Sequence, residues 1–143
     1  MGARESGEQG DGDESIYTDP EQAKHFVAET GLDALACAFG TVHGVYLKEP
    51  KLDFARLEKI KSLVSVPLVM HGGSGVSHED YRRVIDLGIR KINYYTYMSK
   101  AGAAAVDALK ERAYFHDMEV AAIAGMKKDV QNAMSVFTGR TLL

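Results

Sequence analysis

Two histidines in this chain follow apolar runs and are themselves followed by glycine. In ALACAFGTVHGVY at 34–46, His43 precedes Gly44; in VPLVMHGGSG at 66–75, His71 precedes Gly72, Gly73, Ser74 and Gly75. A histidine at the C-terminal end of a parallel strand stands where α/β folds place their ligands, at the mouth made by the βα loops. Adjacent parallel strands lie roughly 5 Å apart, so two such imidazoles can converge on one metal ion at about 2 Å each. Gly44 and Gly72 keep side chains away from that ion. The bare backbone of 72–75 offers N–H groups to an anion such as phosphate. A third run ends in INYYT at 92–96, where Asn93 and Thr96 add an amide and a hydroxyl beside a helix N-terminus. Each histidine alone reads more simply as a hydrogen-bonded structural residue, and Asn93 with Thr96 reads equally well as a solvated side chain and a helix cap. The repeated pattern is what favours a shared metal and phosphate rim.

Other reactive side chains read more plainly. His25 falls on the polar side of a helix, His78 in the first turn after Ser77, and His116 in a connector. Cys37 lies inside an apolar run and reads as a small buried hydrophobe. As the single cysteine it excludes an intramolecular disulfide. The KKD cluster at 127–129 reads as a solvated helix face.

Positioning the two histidines requires alternating helices and strands, and the pattern supplies them. Thr18 or Asp19 can cap a helix with Pro20 in its first turn, Ala23, Phe26, Val27 and Thr30 on one face, and Gly31 at its end. The uninterrupted run 34–39 predicts a strand covered on both faces. Leu52, Leu57, Ile60 and Val64 mark a second helix, and 66–70 a second strand with Pro67 at its start. Ser77 can cap a third helix whose third residue is Asp80, with Val84, Ile85 and Leu87 as its apolar side and Gly88 closing it before a strand at 91–95. Thr96 is expected to cap a helix to about residue 111. A last helix is expected over about 117–137, with Val120, Ile123, Ala124, Val130 and Met134 as its packing stripe. This order predicts an α/β fold of parallel βα units with right-handed crossovers. Three strands, apolar on both faces, would leave open edges prone to association. Residues 1–16, rich in Gly, Glu and Asp, are expected to be a flexible loop or tail ahead of a domain over 17–143.

The chain has 143 residues, 45% apolar and 26% charged, the balance of a globular domain. A net charge of -3 gives no general attraction to nucleic acid or anionic membrane. The start has no apolar core of a secretory signal, and no run approaches the roughly 20 residues of a membrane span. A cytoplasmic location is the resulting expectation.

YTDPEQAKHFVAETGLDALACAFGTVHGVY, PKLDFARLEKI, VPLVMHGGSGVS and GIRKINYYT, in this order and spacing, resemble the C-terminal half of the class II, zinc-dependent ketose-bisphosphate aldolases, the fructose- and tagatose-bisphosphate group. The resemblance is specific over roughly 17–100 and beyond that is limited to a helical tail. It implies a partial TIM (β/α)8 barrel, namely the last three βα units plus a C-terminal helical tail. By the same resemblance His43 and His71 are two of three histidine ligands to Zn2+. Val42, Gly44 and Gly72 match positions whose carbonyls hold Na+ or K+. Gly44, Gly72, Gly73, Ser74 and Thr96 fall in the substrate phosphate site, and Asn93 matches the asparagine that contacts the ketose near the reacting carbons.

The family reaction is reversible cleavage of a ketose bisphosphate to dihydroxyacetone phosphate and an aldehyde, with zinc as Lewis acid on the ketone oxygen. The family's third zinc histidine and its proton-transferring aspartate have no counterpart in this sequence. Leu47 stands where the family usually has lysine, with Lys48 next to it, and Tyr94 and Tyr95 stand where it has smaller or acidic residues. The acidic N-terminal stretch matches the family's mobile catalytic loop only as a divergent remnant, which makes Glu8 and Asp11 the candidates for its glutamate. The expectation is therefore a class II aldolase chain that binds sugar phosphate, is nearly inactive by itself, and forms a homo-oligomer or joins a separately supplied N-terminal half. The alternative is a non-catalytic phosphate- or metal-binding partial barrel that self-associates. Neither reading calls for nucleic acid or membrane.

Overall fold

The computed structural model describes residues 17–41, 50–109 and 114–140. The chain divides into two compact units, Met1–Asn93 and Tyr94–Leu143.

In the first unit helices and strands alternate: α1 (Pro20–Thr30), β1 (Leu35–Ala36), α2 (Phe54–Leu63), β2 (Leu68–Met70), α3 (His78–Asp86) and β3 (Ile89–Ile92). Side-chain oxygens close the helix starts, at Asp19 and Ser77 as the sequence predicts and at Asp53 in addition. Asp19 accepts from Gln22 N at 2.9 Å, Asp53 from Arg56 N at 2.9 Å, and Ser77 from Asp80 N at 3.0 Å; a cap of this kind is worth about 1 kcal/mol. Of the face expected on α1, Ala23 is buried, whereas Phe26 and Thr30 are exposed.

The sheet is parallel and ordered β1-β2-β3. Leu35 and Ala36 pair with Leu68 and Val69; Leu68, Val69 and Met70 pair with Ile89, Lys91 and Ile92, with an irregularity between Leu68 and Val69. Beyond β1 the backbone is tied to the entry of α1 instead of to a strand. Thr18 N donates to Ala38 O and Ala38 N donates to Thr18 Oγ1, both at 2.8 Å, while Asp53 N donates to Phe39 O. The ladder of the first strand is therefore shorter than the apolar run 34–39, although Cys37 and Phe39 are buried. β3 starts two residues earlier than the expected 91–95, because Gly88 turns the chain directly into the buried Ile89. The ladder runs out after Ile92, where β2 itself ends.

Leu35, Leu68, Met70 and Ile89 join Leu57, Ile60, Tyr81 and Val84 of the helices as the buried core. The opposite sheet face is only partly apolar. Ala36 and Lys91 are exposed beside Val69, which corrects the expectation of strands apolar on both faces. Arg83 stacks its guanidinium 3.8 Å from the ring centroid of Phe54.

The second unit holds α4 (Thr96–Asp107) and α5 (Phe115–Thr138). Tyr95, not Thr96, is the N-cap residue of α4, and it makes no side-chain cap bond; Thr96 is the first helical residue. His116 belongs to the first turn of α5, not to a connector, since Asp117 returns its carboxylate to Tyr114 N and starts the helix early. Small residues join these two helices. A Cβ on Gly125 would stand 2.5 Å from Ala101 O, and one on Gly102 would stand 2.8 Å from Met126 Cγ. Val120, Ile123 and Met134, expected to form the packing stripe, are exposed instead. Close backbone approach across glycine and alanine outweighs side-chain bulk here, and a hydropathy stripe does not register it. Tyr94 donates to Asp129 Oδ2 at 2.8 Å and meets the edge of Phe137 at 6.1 Å between centroids. Burial, then the bond to Asp129, pushes its phenol well above its ordinary value. Among the described residues no helix is long and apolar enough to cross a membrane.

Gly125→Ala is expected to force α4 and α5 apart at a cost of about 1–3 kcal/mol, the usual range for overpacking. A lower thermal midpoint with faster amide exchange in both helices would be the measured result.

Candidate functional site

At the C-terminal end of the sheet, two side chains from adjacent strands meet. The ladder continues one bond past β3, where Asn93 N donates to Met70 O at 3.0 Å, and this sets Asn93 beside His71. The Asn93 amide nitrogen lies 2.7 Å from Nδ1 and 2.9 Å from Nε2 of His71, astride both ring nitrogens. Lys91 donates its ammonium to Asn93 Oδ1. His71 is exposed and Asn93 half-buried, so the pair faces outward at the strand ends.

The loop that follows is built for close backbone turns. Gly72 has φ 65° and Gly75 has φ 98°, the left-handed region in which a Cβ is strained. At Gly73 a Cβ would stand 3.0 Å from Met70 Cε and 3.3 Å from both Ile92 Cγ2 and Tyr81 Oη. The loop is pinned from within: Tyr81 donates its hydroxyl to Gly73 O, Val76 N donates to the same oxygen at 3.2 Å, and Ser74 is buried. The backbone of 72–75 is thereby held on α3 immediately before the N-terminus of that helix.

His71, Gly72, Gly73, Ser74, Gly75 and Asn93 thus form one contiguous rim in the first unit. Thr96 opens α4 in the second unit, half-buried. Val42, His43 and Gly44, as well as Leu47 and Lys48, lie outside the described residues, as do Glu8 and Asp11 of the N-terminal stretch. Among the described residues no group of three His, Cys, Asp or Glu side chains is placed to hold a metal. His71 is an exposed imidazole at a strand end, the kind of side chain that can take one ligand position, and the group against its ring is the donor end of the Asn93 amide. Lys91 and Tyr81 were not singled out by motif. For Lys91 the available signal was its spacing of two from Asn93, which puts both on one face of an extended chain.

Cys37 stands apart from this chemistry. Burial pushes its thiol up to about 12 from an ordinary 9.0, partly offset by a backbone hydrogen bond, so it stays protonated and unreactive.

A short parallel sheet with helical crossovers, carrying an imidazole, an amide and a glycine loop at the strand C-termini, is the ligand-binding end of an α/β protein. The sequence matches the family described as fructose-bisphosphate aldolase class-II over residues 1–140, and the chain belongs to that family. It is similar to the YdjI aldolase from Escherichia coli K12, with 41% identity and a TM-score of 0.77 over 85% of this chain and 46% of that one. A protein from Coccidioides immitis assigned as a fructose-1,6-biphosphate aldolase is 29% identical, with a TM-score of 0.80 over 94% of this chain and 49% of that one. The fold also matches a fructose-bisphosphate aldolase from Campylobacter jejuni, at 23% identity and a TM-score of 0.74, over 96% of this chain and 50% of that one. The chain therefore spans about half the length of the solved structures it matches.

Tyr81→Phe removes one of the two donors to Gly73 O. It should cost about 0.5–1.5 kcal/mol, the net worth of one hydrogen bond, and speed amide exchange at 72–76. The Cys37 thiol gives a second expectation. Its raised pKa means the unfolded chain loses this proton first as pH rises, so its contribution to stability is complete below pH 9.0 and is lost towards about 12. Labelling by a thiol reagent should be slow in the native chain and become fast only in denaturant.

Proposed function

We propose that this chain supplies the last three βα units of a class II aldolase TIM barrel, with its C-terminal helices, and that the assembled site carries out reversible aldol cleavage of a ketose bisphosphate. The observation that carries the reading is the meeting of His71 and Asn93 at the C-terminal ends of adjacent parallel strands, directly before a glycine loop. His71 and His43 would hold the Zn2+ expected of the family. Zinc, when bound, supplies Lewis-acid polarisation of the substrate ketone.

The chain's own residues bind and orient. Backbone N–H groups of 72–75, with Gly44, receive the substrate phosphate without needing an arginine. The amide of Asn93 orients the ketose hydroxyls against the reacting carbons, and carbonyls of Val42, Gly44 and Gly72 hold a monovalent cation, Na+ or K+. No matched group here moves the proton at the cleaved bond, since the family's aspartate and third histidine have no counterpart; Glu8 and Asp11 remain the candidates for the loop acid. The partner is then a sugar phosphate together with a second chain, either another copy or one that contributes the rest of the barrel. The exposed sheet face at Ala36 and Lys91 favours such a partner and equally supports the second reading, a non-catalytic partial barrel that self-associates.

Coupled assays of fructose and tagatose bisphosphate cleavage separate the two. The chain alone with zinc should be nearly inactive, because loss of a positioned acid or base costs about 10² to 10⁴ in rate. Addition of the complementary half of a class II aldolase should restore turnover, and His71→Ala should abolish both that turnover and zinc uptake by the chain. Robust turnover by the chain alone, or unchanged zinc uptake in His71→Ala, would refute the assignment.

A further inference from the structure

We infer that Lys91 is a positioning residue for His71, acting through the side-chain amide of Asn93. This rests on the reading of His71 as a functional group of the site. The three residues form a continuous chain of contacts: the Lys91 ammonium donates to Asn93 Oδ1, and Asn93 Nδ2 lies 2.7 Å and 2.9 Å from the two ring nitrogens of His71.

An asparagine amide can present either its oxygen or its nitrogen to a neighbour, and its terminal torsion is broad, so the backbone alone does not select one. The Asn93 main chain is already fixed by its bond to Met70 O, which leaves the amide rotation as the remaining freedom. An ammonium carries three donors and no acceptor, and so it accepts only the oxygen as partner. With Oδ1 turned to Lys91, Nδ2 must face His71. An N–H there pairs with whichever ring nitrogen carries the lone pair, so an amide held in one orientation biases the tautomer and the angle of the ring. Val69 pairs with Lys91 in the ladder, and His71 and Asn93 follow two residues later on the same strands. All four side chains therefore share one sheet face. Lys91 is exposed, so the ammonium reaches Asn93 along the surface of that face without its charge being buried.

The test uses the full chain, isotopically labelled and free of metal and substrate. The Asn93 side-chain amide should show nuclear Overhauser contacts to the His71 ring. Its ring nitrogens should show a tautomer pattern distinct from those of His25 and His78, which are exposed. Lys91→Met, which keeps the stem and removes the donors, should lose the Asn93 contacts and move the His71 pattern towards that of the two surface histidines. Lys91→Arg, which keeps a donor, should retain both signatures. Unchanged contacts and tautomer pattern in Lys91→Met would overturn the inference. So would loss in both variants accompanied by displaced backbone amides over 68–76, which would make Lys91 a residue of strand packing. Because no metal takes part, failure of the zinc and cleavage assays would remove the proposed function and leave this result readable by itself.

Discussion

One hydrogen bond past the end of the sheet organises the site. Asn93 N to Met70 O extends the β2–β3 ladder by a single step and brings Asn93 alongside His71. A parallel ladder puts paired residues on the same face, and the side-chain period of two then sends His71 and Asn93 to the face opposite Met70 and Ile92. Met70 packs into the core beside the glycine loop, while its neighbour in sequence faces outward. A register slip of one residue would exchange the two, burying the imidazole and exposing the core.

The loop after His71 shows how the same core holds an open backbone steady. Positive φ at Gly72 and Gly75 would by itself give a pliable turn. Tyr81, buried on α3, reaches back to Gly73 O, and Val76 N adds a second donor to that oxygen. The Ser77 cap starts α3 immediately afterwards. A conformationally permissive backbone is thus fixed from the helix side, and its outer side keeps the small profile of glycine. Tyr81 and Ser77 are the residues that convert glycine's freedom into a defined shape.

Much of this was legible in the sequence, for identifiable reasons. The caps at Asp19 and Ser77, the order of helices and strands, and the buried runs around Leu68 and Leu35 follow from local signals that no tertiary contact overrides. His71 and Gly72 to Gly75 are legible because they directly follow one apolar run, and Asn93 because it ends the next. The misses have a common cause in pairing. Ile89 starts its strand because β2 stands beside it, not because of its own neighbours, so the boundary expected at 91 was late. Thr18 takes over the backbone of Ala38, which shortens the first ladder. On α5 the glycine and alanine surface packs, and the larger Val120, Ile123 and Met134 stay exposed. Hydrophobic periodicity weighs side-chain size, whereas helix pairing through small residues rewards its absence.

The exposed sheet face follows from the same geometry that makes the site. In a sheet with helical crossovers on one side, the helices bury Leu35, Leu68, Met70 and Ile89 and leave Ala36, Val69 and Lys91 to the other. In a closed barrel that second face is the interior, filled by side chains from every strand. An interior-facing lysine is costly unless its ammonium finds an acceptor, and Lys91 has one in Asn93 Oδ1. Closure would therefore strengthen the contact, because a charge-assisted hydrogen bond gains as water is excluded, provided the geometry stays fixed. The residue that looks like a simple surface lysine on this sheet is thus one whose hydrogen bond would matter most in a closed barrel, two residues from Asn93 and on the same face as His71.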